Sequence, residues 1–130
     1  MRILRIDSWD GSGGGAQDYI REVCAELARR GHENRLINLT TLAAPAVSGI
    51  ERNLIVRPTS PARLGDDLVE LPGLAELLEG QLQEFQPDLV QLHHFDAGFT
   101  TIGRFVERLG VPLVFTAHDA ELVCPISTLV

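Results

Sequence analysis

The chain has 130 residues, 45% of them hydrophobic, which makes one domain with enough apolar side chains for a core. Its net charge of −7 argues against non-specific nucleic-acid binding and against docking on anionic lipid, both of which need a basic surface. All eleven basic residues are arginine, so these residues hold neither a Walker A lysine nor a Schiff-base lysine for pyridoxal phosphate.

The opening MRILRID lacks a signal-peptide core, and residues 2–7 read as a strand. Arg5 is awkward in a strand covered on both faces, and an ion pair with Asp7 on the same strand face is one remedy. Residues 16–30 form an amphipathic helix: Ile20, Val23, Cys24, Leu27 and Ala28 fall at i, i+3, i+4, i+7 and i+8. Gly31 closes it, and residues 35–39 make a second strand. Residues 40–71 are broken by proline and glycine and carry one strand, 53–57. A second helix, 71–85, aligns Leu71, Leu74, Leu78, Leu82 and Phe85. Pro72 suits its first turn, Pro87 prevents its continuation, and Glu76, Glu79 and Glu84 read as a solvated face.

Residues 89–93 are largely apolar and read as a buried strand. The third helix, 99–109, has Phe99, Ile102, Val106 and Leu109 on one face, and Gly110 and Pro112 end it. A last strand covers 113–116. Strands alternating with helices predict a Rossmann-like three-layer α/β/α domain with a parallel sheet, in the strand order 3-2-1-4-5. No apolar run approaches the ~20 residues of a membrane span, so the expected location is cytoplasmic. The chain stops at residues 126–130 without a polar tail, and a fragment of a longer protein is expected.

Three segments carry the candidate chemistry. Gly11 to Ala16 can be written G-x-G-x-x-A, a loop whose backbone N–H groups, with the positive end of the next helix, suit an anion. A dinucleotide site would also want an acid at the end of the second strand; the residues there are Ile37, Asn38, Leu39 and Thr40, which disfavours NAD. The bland alternative is a glycine turn that lets the helix pack closely. His93 and His94 end the fourth strand, where successive side chains point to opposite faces, so they do not form a metal pair. His118 and Asp119 follow the last strand.

The pair of His118 and Asp119 admits three readings. It could activate a nucleophile, but no nucleophile elbow is present. It could hold a metal, but suitably spaced ligands are lacking and Glu121 is two residues away. It could recognise a ligand, His118 by hydrogen bonding and Asp119 by setting the tautomer. Cys24 and Cys124 form no CxxC pair and no zinc-type spacing, and both read as reduced, structural thiols. Trp9, just before the glycine loop, is either packing or a stacking platform. Arg104 and Arg108, one turn apart, could meet a lipid phosphate or be ordinary surface charge.

Together, GGGAQDYIREVCAELARRGHE (13–33), QPDLVQLHHF (86–95) and FTAHDAELVCP (115–125) resemble the N-terminal half of GT-B glycosyltransferases of retaining family 4. The last segment is the most specific. The resemblance implies sugar transfer from a nucleotide sugar to an acceptor with retention, without a metal or a bound cofactor. It implies that His118 contacts the transferred sugar, with Gly14, Gly15, His93, Asp119 and Trp9 as substrate-binding candidates. The acceptor would be a glycan, a lipid-linked group or a small molecule. Residues 1–130 would form the acceptor-side domain, and a nucleotide-sugar domain would lie outside this chain. The alternatives are a sugar-nucleotide epimerase of the same two-domain plan and a stand-alone nucleotide- or NAD-binding module.

Overall fold

The computed structural model describes residues 1–7, 14–39, 48–50, 52–56, 73–93 and 99–118. In chain order the elements are β1 (Arg2–Asp7), α1 (Gly15–Arg29), β2 (Glu33–Leu39), β3 (Arg52–Val56), α2 (Leu74–Glu84), β4 (Leu89–Leu92), α3 (Phe99–Leu109) and β5 (Leu113–Phe115). The strands form one sheet in the order β3-β2-β1-β4-β5, and every pairing is parallel. All carboxyl ends therefore open on one edge, with β1 at the centre.

The pleat sends alternate side chains of β1 to opposite faces. Leu4 and Ile6 lie on one face. Their register neighbours Ile37, Val90 and Leu92 lie beside them, and Leu39 continues the row. This face packs against Leu74, Leu78 and Phe85 at α2 and Ile102, Phe105 and Val106 of α3 in one buried cluster. On the other face stand Ile3, Arg5 and Asp7, beside Asn34, Leu36, Asn38 and Gln91. Helix α1 covers that face and buries Ile20 and Cys24. The result is a Rossmann-like α/β/α sandwich with the expected strand order. No helix among the described residues is long and apolar enough to cross a membrane.

Several boundaries differ from the sequence reading. Strand β2 begins at Glu33 because the β1 ladder extends to the Arg2–Glu33 pair. Helix α2 begins at Leu74, not at residue 71: Gly73 is its N-cap in the left-handed region, φ 79°, a conformation few other residues adopt. Leu71 and Pro72 lie outside the described residues. Strands β4 and β5 each end one residue earlier than expected. Helix α1 closes as read, with the Gly31 and His32 N–H groups donating to the Ala28 and Leu27 carbonyls at 2.9 Å each.

Glu76, Glu79 and Glu84 of α2 are exposed, as a solvated face should be, and two of them also meet arginines of neighbouring elements. Arg108 of α3 donates to Glu79 at 2.7 Å. Arg35 of β2 lies 4.5 Å over the Phe85 ring, donates to Gln81 at 2.9 Å and sits 3.6 Å from Glu84. Gln81 is buried, since it stands seven residues after Leu74 and three after Leu78, on the face of the leucine stripe.

Arg5 is fully buried, and neutral amides surround its charge. Its guanidinium donates to Gln91 Oε1 and, at 3.3 Å, to Asn34 Oδ1. Gln91 Nε2 in turn donates to Thr116 Oγ1 at 2.7 Å. Burial pulls the Arg5 guanidinium below its ordinary pKa, an effect partly offset by Cys24 and Tyr19. Asn34 Nδ2 also donates to the backbone oxygens of Cys24 and Gly49, at 3.4 and 3.2 Å. Gly49 must be glycine twice over. Its φ is +80°, and a Cβ there would stand 2.5 Å from the Cys24 carbonyl oxygen.

Candidate functional site

Two sheet strands and one helix bring three rings together at the carboxyl edge. His93 follows β4 directly, and its N–H donates to the Ile6 carbonyl at 3.1 Å, which anchors it to the end of β1. Thr116 extends β5 by donating to the Leu92 carbonyl at 2.9 Å, and His118 lies two residues beyond. On both strands the side-chain alternation puts the histidine on the face covered by α1.

His93 Nδ1 and His118 Nε2 are 2.9 Å apart, a hydrogen bond with one proton between two ring nitrogens. The rings lie edge to edge and nearly in one plane, with centroids 5.2 Å apart and planes at 17°. Tyr19, in the second turn of α1, meets both edge-on at 6.2 and 5.4 Å. His93 is fully buried, His118 half-buried, and Tyr19 39% exposed. An enclosed histidine thus backs an accessible one, and a tyrosine flanks both.

The glycines at the head of α1 sit at the same edge. Gly14 is the N-cap, extended at φ −157°, a conformation open to any residue, and no side chain caps the helix. A Cβ at Gly14 would approach the end of the flexible Gln17 side chain at 2.8 Å. A Cβ at Gly15 would meet nothing within 4 Å among the described residues. Close helix packing is therefore no reason for glycine at position 15. The N–H groups of a helix's first turn are a surface that backbone can present to an anion.

Of the six candidate residues, His118, His93, Gly14 and Gly15 are described at this edge. Trp9 and Asp119 lie outside the described residues, as do Cys124 and Glu121. Sequence reasoning passed over Tyr19. It precedes Val23 by four residues and so prolongs the apolar stripe of α1 back toward the glycine loop. An aromatic at that position was the available signal. Cys24 is buried and free, and burial raises its thiol pKa against the opposing pull of Arg5.

Among the described residues no group of three or more His, Cys, Asp or Glu side chains could hold a metal ion. The Arg104 and Arg108 pair lines a cleft of about 250 Å³ between α2 and α3, together with Glu79, whose carboxylate holds Arg108. That carboxylate makes the cleft a poor phosphate site.

Residues 13–126 match the family model for Glycosyltransferase Family 4. A curated relative, the D-inositol 3-phosphate glycosyltransferase of Pseudarthrobacter chlorophenolicus, is 31% identical across 87% of this chain; the chain spans 29% of that protein's length. The C-terminal domain of a hydrogenase from Pyrococcus furiosus superposes with a TM-score of 0.56, at 16% identity, over 88% of this chain and 90% of that one. At that identity the likeness concerns the fold alone.

Proposed function

Because the chain belongs to glycosyltransferase family 4, we propose that it is the acceptor-side domain of an enzyme that moves a sugar from a nucleotide sugar to an acceptor, with retention of configuration. The nucleotide would be gripped by a second domain, outside these residues. The reaction would proceed without a metal or a bound cofactor, in the cytoplasm. The acceptor is a glycan, a lipid-linked group or a small molecule.

One observation carries this reading: the half-buried His118, held by His93 and Tyr19, shares an edge with a helix start where, among the described residues, nothing lies within 4 Å of a Cβ at Gly15. A neutral or charged imidazole can donate to a sugar hydroxyl or phosphate oxygen. The first-turn N–H groups at Gly14 and Gly15 suit the anionic end of the same donor. Trp9 and Asp119 remain proposed contacts, by resemblance.

In the full-length enzyme His118→Ala should lower sugar transfer roughly ten- to hundredfold, the loss of a hydrogen bond of about 1–3 kcal/mol to substrate, while the melting temperature stays near wild type. Assays with UDP- and GDP-linked sugars, with and without Mg²⁺, test this directly. Full turnover with a lowered melting temperature would make His118 a structural residue.

A further inference from the structure

We propose that Tyr19 is a ligand-contacting residue of the candidate site, its phenol hydroxyl bonding to a pyranose ring held at the edge beside His118. This rests on reading the carboxyl edge as the place of sugar transfer. Tyr19 stands in the second turn of α1, and helix side chains lean toward the helix start. Its ring is thereby carried toward the ends of β4 and β5. There it meets His93 and His118, with centroids 6.2 and 5.4 Å away.

Two properties separate Tyr19 from an aromatic that only packs. The first is exposure: Phe85 and Phe105 are buried in the core, whereas Tyr19 is 39% exposed. The second is its hydroxyl. No described residue bonds to it, although a tyrosine hydroxyl enclosed by the fold normally has a partner. The fold thus uses the ring, which stands at 62° and 65° to the two imidazole planes, and leaves the polar end to solvent or ligand. Gly15 lies four residues earlier on the same face of α1 and adds no side chain beside it. A Cβ at Gly15 would meet nothing within 4 Å among the described residues. A ligand that reaches the half-buried His118 therefore comes up against Tyr19 as well. A phenol offers a flat apolar ring for the C–H face of a pyranose and one O–H that bonds to a sugar hydroxyl. The transferred sugar and a glycan acceptor share that chemistry.

The test compares wild type with Tyr19→Phe in the full-length protein, using a panel of UDP- and GDP-linked hexoses as donors and simple hexosides as acceptors. Phenylalanine keeps the ring and its contacts with both histidines, so the melting temperature and the imidazole ¹H–¹⁵N shifts should stay at wild-type values. The KM of one substrate should rise roughly three- to tenfold, as expected for one lost hydrogen bond between neutral groups, with kcat little changed. A raised donor KM puts the transferred sugar against Tyr19, and a raised acceptor KM puts the acceptor there. As a second measurement, 3-fluorotyrosine placed at position 19 should shift its ¹⁹F resonance when that substrate is added. An unmoved resonance at saturating substrate, or a folded Tyr19→Phe with both KM values unchanged, overturns the proposal while sugar transfer stands. A full-length protein that binds and transfers none of these sugars ends the sugar-transfer reading, and the proposal falls with it.

Discussion

The two faces of the sheet are built from the same strands to opposite specifications. Leu4 and Arg5 are neighbours on β1 and both are fully buried. Leu4 enters an unbroken apolar layer beneath α2 and α3. Arg5 enters a layer beneath α1 that also buries Asp7, Asn34, Asn38, Gln91 and His93. Burying polar groups costs free energy that hydrogen bonds at best offset. A face built for stability alone would not need them. The polar row runs from Asn34 through Arg5 and Gln91 to Thr116, two residues short of His118. One face therefore drives folding, and the other sustains a polar framework that ends at the candidate site.

This division predicts unequal costs for substitutions at adjacent positions. Leu4→Ala should cost about 2–5 kcal/mol, the range for emptying a packed aliphatic site. Arg5→Met should cost about 1–3 kcal/mol, the range for stranding a buried acceptor. Methionine fills much of the stem volume, and the desolvation of a buried charge disappears with the guanidinium. Gln91 Nε2 keeps Thr116 and Asn34 Nδ2 keeps the Cys24 and Gly49 carbonyls, but Gln91 Oε1 and Asn34 Oδ1 lose their donor. Urea unfolding of both variants, compared at equal m-value, measures the difference. An Arg5→Met variant less stable than Leu4→Ala would erase the distinction between the faces.

The apolar face was legible from sequence because period-2 and period-3.6 patterns directly report which side chains leave water. Leu74, Leu78, Phe85, Ile102 and Val106 were all read correctly for this reason. The polar face was less legible. Asp7 was the one partner for Arg5 that the strand itself suggested, whereas its amide partners come from β4 and β2, 86 and 29 residues away. Such partners depend on strand order and register, which a one-dimensional pattern does not encode. His93 and His118 stood out singly as polar residues at strand ends. Their mutual bond needed the pairing of β4 with β5. Tyr19 was hidden within an ordinary helical stripe. Gly73 was missed as a cap because the neighbouring Pro72 offered a plausible helix start.

A second contrast concerns glycine. At Gly49 the fold requires it, and at Gly15 the described residues do not. Gly15→Ala should therefore stabilise the protein by about 0.5–1 kcal/mol, since alanine loses less backbone entropy in a helix. The same change should lower sugar transfer at least tenfold if substrate approaches the backbone there. Melting temperature and turnover, measured on one preparation of the full-length protein, should thus move in opposite directions. Unchanged turnover would show that the glycine serves neither fold nor ligand.

The smallest effect is expected on the solvent side of α1, where charges meet in water and not beneath the helix. Glu26 accepts from Arg29 at 2.9 and 2.7 Å and from Arg30 at 2.6 Å. These bonds, Arg29 first, hold its carboxyl below the ordinary glutamate pKa. A carboxyl whose pKa is depressed by folding adds stability above its unfolded value, and that stability is lost as pH falls through the folded value. Glu26→Gln should therefore lower the melting temperature slightly at neutral pH. The gap should close as the pH drops below the ordinary glutamate range, and salt should narrow it at any pH. The Arg5→Met difference should not follow that course, because Arg5 is bonded to amides that do not titrate and is shielded from ions. Parallel pH and salt dependences for the two variants would mean that the buried polar layer is no more sheltered than the helix surface.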